Sequence, residues 1–246
     1  MNRIKIGPLA LASTDVKTKS MVSPSENLKK LSTPTDDCSV FVPIHYERNY
    51  SYPLIVWLHS DGETSRQIEQ IMPMTSMRNY IGVAPQSTLG DRRRGYFWQQ
   101  SSGHIKQAHQ SIDKAIEQVS LRYNVCSQRI FIAGYGAGGT MAYRVAFERP
   151  ELFAGVISIN GPLPTRKTPL ARWMDCRDLP LFWAHMRKSP LFDEETLCKQ
   201  LKSLHVSGFS VTLRQYPGTD QLLDTTFNDL DNWIMSTIDT SVGNIE

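Results

Sequence analysis

The sequence holds 246 residues, 40% of them hydrophobic and 21% charged, enough to bury one sizeable core and short for two full domains. Its formal charge of +3 is too mild to point to nucleic acid or an acidic polymer as a partner. Its longest apolar stretches, such as PLIVWL at 53–58, fall far short of the ~20 residues of a membrane span.

A chain with no membrane partner is therefore expected, and the cytoplasm is its expected place. Arg3 and Lys5 precede GPLALAS, whose apolar part, PLALA, is shorter than the ~7 to 15 apolar residues of a secretory leader. Residues 1–37 are rich in Ser, Thr, Pro and Lys, a composition that reads as a flexible tail, with one domain over 38–246. Cys38, Cys126, Cys176 and Cys198 form no C-x-x-C pair, so neither a zinc site nor a redox motif is indicated, and a disulfide stays open.

Beyond the tail, short apolar runs alternate with amphipathic segments, the pattern of a mostly parallel sheet with helices on both faces, an α/β fold. Strands are expected at Ser39–Pro43, Pro53–His59 and Tyr80–Pro85. Thr64 and Gln67 have the spacing of a capping box ahead of Ile68 and Ile71. From His104 to Tyr123, apolar residues recur at helical spacing. His104 and His109 lie five apart on that helix, the wrong spacing for two ligands on one face, so no metal is expected, and no cofactor either.

A strand at Arg129–Ala133, a helix at Ala137–Phe147 and strands at Phe153–Ile159 and Leu179–Ala184 follow. Asp193 reads as the cap of a further helix. Phe209–Tyr216 is the last expected strand, and Asp224 opens a closing helix striped by Phe227, Leu230, Trp233, Ile234 and Ile238.

The segment RIFIAGYGAGG carries a resemblance to the α/β hydrolases, in particular to the phospholipase/carboxylesterase and polyhydroxybutyrate-depolymerase-like serine esterases. In such proteins a buried strand ends in G-x-S-x-G and turns sharply into a helix. Here the string is Gly134, Tyr135, Gly136, Ala137, Gly138, so the resemblance puts Gly136 where the nucleophile belongs. A G-x-G-x-G string also suits a dinucleotide loop, but it lies in mid-chain with no acidic residue at the ribose spacing.

By the same resemblance, Ser189 falls at the position of the acid, in AHMRKS, and Asp220 at that of the base, in YPGTDQL. Serine has no negative charge to orient a histidine, and an ordinary aspartate is a weak base at neutral pH. The resemblance makes Ser60, Asp61 and Ala137 the oxyanion-loop positions; where such esterases have L-H-G-x-G, Leu58 to Gly62 reads L-H-S-D-G, so Ser60 replaces a glycine and Asp61 brings a carboxylate toward the developing charge.

His59, Tyr135, Arg94, Tyr96, Trp98 and His185 are candidate pocket-lining residues. Arg92, Arg93 and Arg94 followed by Tyr96, Phe97 and Trp98 form a basic, aromatic loop of the kind that lines a ligand crevice.

The sequence therefore reads as an esterase-like fold with a degenerate triad, binding a small ligand or a protein partner without catalysis. The alternative is a carboxylic-ester hydrolase with relocated residues. Its hydroxyl would come from Ser60, Thr140 or Ser189, and its base would be His59 or His185.

Overall fold

A computed structural model describes residues 38–164, 175–219 and 222–243. The tail expected at 1–37 and the base position Asp220 lie outside the described residues.

Seven strands form the main sheet in the order β1-β3-β2-β6-β7-β8-β9. They are β1 (Cys38–Phe41), β2 (Tyr52–Leu58), β3 (Ile81–Pro85), β6 (Val125–Tyr135), β7 (Gly155–Ile159), β8 (Leu181–Met186) and β9 (Val211–Tyr216). Only β1, at one edge, runs antiparallel to its neighbour; every other pairing is parallel. The mostly parallel sheet expected from alternating strand and helix patterns is thus present.

Strand residues of alternate parity feed two core layers. Leu54, Val56, Leu58, Ile130, Ile132, Leu181 and Trp183 face one side, where they meet helices α2 (Ser102–Ser120), α3 (Ala137–Glu148) and α4 (Glu194–Val206). Ile55, Trp57, Phe131, Ala133, Phe182 and Ala184 face the other, against α1 (Ile68–Thr75) and α5 (Asp224–Gly243). Each fully buried Val, Leu, Ile or Phe among them contributes about 1.5–3 kcal/mol, which is why the strands read as continuous apolar runs.

Three expectations are corrected. The basic, aromatic segment is a hairpin, β4 (Leu89–Asp91) with β5 (Gly95–Phe97), and not an open loop. Its turn forms because the Asp91 carboxylate accepts the backbone N–H groups of Arg93 and Arg94.

No capping box forms at Thr64. Its hydroxyl accepts from the Arg66 N–H, starting a 3-10 turn over Ser65–Gln67, while the Gln67 side chain turns inward. The strand expected at Arg129 begins earlier, at Val125, because the β6 start pairs with Tyr52 of β2.

Candidate functional site

Strand β6 ends at Tyr135, and α3 begins two residues on, at Ala137. Gly136 makes the turn between them at φ 54° and ψ −119°, a region that costs a residue with a side chain about 1–3 kcal/mol. Its N–H donates to the Ile159 carbonyl at 2.8 Å, and its own carbonyl accepts from Thr140 N–H at 3.0 Å.

The flanking glycines are required by packing alone. A Cβ on Gly138 would stand 2.3 Å from the Leu58 carbonyl oxygen, and one on Gly134 would stand 2.5 Å from the Gly138 backbone. The start of α3 therefore lies directly on the ends of β2 and β6.

At Gly136 a Cβ would meet one neighbour, the Leu191 Cδ1, at 3.2 Å. Leu191 is half exposed and sits on the loop after β8, so its methyl covers the space a side chain at position 136 would enter. Nothing in the sequence around Ser189, Pro190 and Leu191 signals this contact.

That loop is laced to the one after β9. Arg187 N–H donates to the Tyr216 carbonyl at 3.0 Å and Lys188 N–H to the Gly218 carbonyl at 2.9 Å. The fold thus brings Ser189 to within two residues of the elbow's cover, and the chain leading to Asp220 to the same end of the sheet. Ser189 Oγ accepts the Leu191 N–H at 3.2 Å, a turn-forming role. Asp193 accepts the Thr196 N–H at 2.8 Å and caps α4, as its position before the helix implied. Hydrogen bonds from the Thr196 side chain and then from its backbone N–H lower the pKa of this fully exposed carboxylate.

The loop after β2 is held by Gln67, which is buried. Its Oε1 accepts from Trp57 Nε1–H at 2.9 Å and from Ser60 N–H at 3.1 Å, and its Nε2 donates to Ser60 Oγ at 2.7 Å. The Ser60 N–H is thereby spent within the loop. Asp61, exposed as a residue, turns its carboxylate to the Trp98 backbone N–H; burial of the carboxyl raises its pKa, and that hydrogen bond works the other way.

His59 is fully buried. Its Nδ1–H donates to the Ser60 carbonyl at 2.9 Å, and its Nε2 accepts from Ser87 N–H and Gln86 Nε2, both at 3.3 Å. Burial pushes its pKa down to about 4, with the Ser60 hydrogen bond opposing. The ring is therefore neutral, and both nitrogens are engaged.

Trp98 lies 5.0 Å from that ring, centroid to centroid, and its Nε1–H donates to the His59 carbonyl at 3.0 Å. His59, Trp98, Tyr135 and His185 are all buried, so they form the underside of the site and do not line an open pocket. His185 packs on Phe192, ring centroids 4.7 Å apart.

Of the candidate lining residues, Arg94 and Tyr96 reach the surface. The hairpin that carries them is fixed to the β2 loop: Gly62 N–H donates to the Tyr96 carbonyl, and Tyr96 N–H to that of Glu63. The paired histidines of the sequence are structural, His104 bonded to Ser101 Oγ and His109 to Glu148, each at 2.7 Å.

Asn160 organises the site without having been legible as a functional residue. Buried at φ 52°, it donates from Nδ2 to Tyr135 Oη at 3.1 Å and accepts the Met186 N–H on Oδ1 at 2.8 Å, tying the ends of β6, β7 and β8 together. An Asn–Gly pair after a buried strand is its one sequence signal.

Comparison with known proteins agrees with this geometry. A model of the phospholipase/carboxylesterase family matches residues 93–238. NocK of Nocardia uniformis subsp. tsuyamanensis, whose name calls it an esterase, is 26% identical over 116 residues, which are 46% of this chain and 34% of that protein. The chain thus spans about a third of the length of that curated relative.

Among solved structures, SOBER1 of Arabidopsis thaliana superposes with a TM-score of 0.62 at 17% identity, over 76% of this chain and 100% of that one. A Bacillus cereus carboxylesterase superposes with a TM-score of 0.64 at 14% identity, over 78% and 92%. At such identities the likeness establishes the fold, that of the α/β hydrolases.

Proposed function

This chain belongs to the phospholipase/carboxylesterase family, and from that premise we propose that it binds at the mouth above the elbow and does not hydrolyse an ester there. The observation that carries this reading is Gly136. It stands at the apex of the elbow with φ 54°, and it has no hydroxyl to form an acyl-enzyme. Leu191 Cδ1, 3.2 Å from where its Cβ would be, crowds the space a nucleophile's side chain would enter. Ser189 and Asp220, at the positions of acid and base, complete a degenerate triad.

The ligand is a small molecule or a segment of a protein. Arg94 and Tyr96, exposed or half-exposed on the hairpin beside Phe97, are the groups that would meet it.

Family membership favours a second reading, an ester hydrolase whose machinery has moved. The hydrogen bonds at two of the candidates weigh against it: the Thr140 hydroxyl proton goes to the Pro162 carbonyl, and His59 engages Nδ1 with the Ser60 carbonyl and Nε2 with Ser87 N–H and Gln86 Nε2. Incubation with short-chain nitrophenyl esters and a fluorophosphonate probe separates the two. We expect turnover at background and no labelled residue; a labelled serine overturns the binding reading in favour of the hydrolase.

A further inference from the structure

Far from the elbow, the first residues of β6 and those preceding β7, β8 and β9 meet the last turns of α5 around a groove of about 1000 Å³. Phe131, in its wall, precedes Gly136 by five residues along β6, about 16 Å at strand rise, so this groove opens at the opposite end of the sheet from the elbow.

Trp233 of α5 forms its base. The indole lies on the β7 backbone, where a Cβ on Gly155 would come within 2.7 Å of it. Its ring is held by Phe182 at 5.5 Å and by Phe131, edge-on, at 6.1 Å, yet stays partly exposed. The ring is thus fixed in position and, among the described residues, left partly open to solvent.

The polar lining is rich in acceptors. Ser236 and Thr237 donate their hydroxyl protons to the Trp233 carbonyl, and Thr240 donates to that of Ser236, which leaves oxygen lone pairs facing the groove. Glu151, Asp175 and Asp178 add three exposed carboxylates, against the donors of Arg129 and Gln128. Exposed Tyr50 and Met235 line an adjoining depression of about 270 Å³ that shares Arg129 and Ile238 with the groove.

We infer that this groove binds an organic cation with an apolar body. The ammonium or guanidinium donors would meet the carboxylates and hydroxyl oxygens, and the apolar part would lie on the Trp233 face, where a cation is also attracted to the ring. The inference stands apart from the reading of the elbow, whose failure would leave it untouched.

The test is calorimetric titration of the full chain with benzyltrimethylammonium chloride and, in parallel, with sodium 3-phenylpropionate, an anion of similar size. The cation should bind saturably, and the anion should bind at least about tenfold more weakly. Combining Glu151→Gln, Asp175→Asn and Asp178→Asn, all at exposed positions, should weaken the cation about tenfold, whereas Glu194→Gln on α4 should leave it unchanged. Trp233→Leu should weaken both ligands.

Absence of saturable binding up to about 10 mM, equal binding of cation and anion, or an unaltered affinity in the triple variant would each overturn the inference. The triple variant keeps it falsifiable if Trp233→Leu does not fold.

Discussion

At the elbow, backbone meets backbone: Gly134 and Gly138 leave no room for a Cβ because α3 rests on the carbonyls of β2 and on the β6 backbone. In the loops after β2 and β8, side chains do the holding instead, with Gln67 clasping Ser60, His59 bonded through both nitrogens, and Ser189 closing its own turn. The glycines of the elbow are therefore a packing requirement and persist whatever stands at position 136. A glycine-rich elbow is evidence of the fold, while evidence of chemistry has to come from the loops.

The comparison can be broken most easily at Gly138. Gly138→Ala puts a Cβ 2.3 Å from the Leu58 oxygen and 2.6 Å from that of His59, contacts that only backbone movement relieves. Urea unfolding should show a loss of about 3 kcal/mol or more. A loss below about 0.5 kcal/mol would mean the elbow is not packed backbone to backbone.

His59 tests the loop half of the contrast. Its pKa in the fold is about 4 against 6.5 unfolded, so the unfolded chain takes up the proton first. The stability this neutral ring supplies is complete above pH 6.5 and is lost as pH falls through about 4, roughly 3 kcal/mol in all. His59→Gln should be less stable at pH 7 and lose less between pH 6.5 and 4, by about that difference. Parallel stability–pH curves for the two proteins would refute a buried, neutral His59.

The smallest effect joins the two regions. Gly136→Ala should cost about 1–3 kcal/mol from its positive φ, to which the 3.2 Å approach to Leu191 adds. Adding Leu191→Ala should recover about 0.5 kcal/mol or more as a coupling term in a double-mutant cycle. Strict additivity would place Leu191 away from the elbow.

Much of the fold was legible because the burial that builds it leaves a periodic trace. The strand expected at Leu179–Ala184 is found at Leu181–Met186, two residues on, and the stripe of α5 at Phe227, Leu230 and Ile234 is buried as its spacing requires. The site was legible in part. The string Gly134 to Gly138 announced the elbow through its resemblance to the esterase motif, and Asp193 announced its helix because a cap acts on the next residues of its own chain. His59 and Trp98 were legible as residues of interest but not as buried ones, since burial depends on the hairpin that closes over them.

By itself, then, the sequence determined the alternation of strands and helices, through its period, and the absence of a hydroxyl at position 136, while its resemblance to the serine esterases marked that position as a sharp turn. The tertiary structure decided what occupies the space above that turn. Leu191, Asn160 and Gln67 reach their partners across 55, 26 and 10 residues of chain respectively, and contacts of that range arise only when separate strands are brought side by side. So the elbow was visible as a motif, and only the folded chain puts a leucine methyl over it.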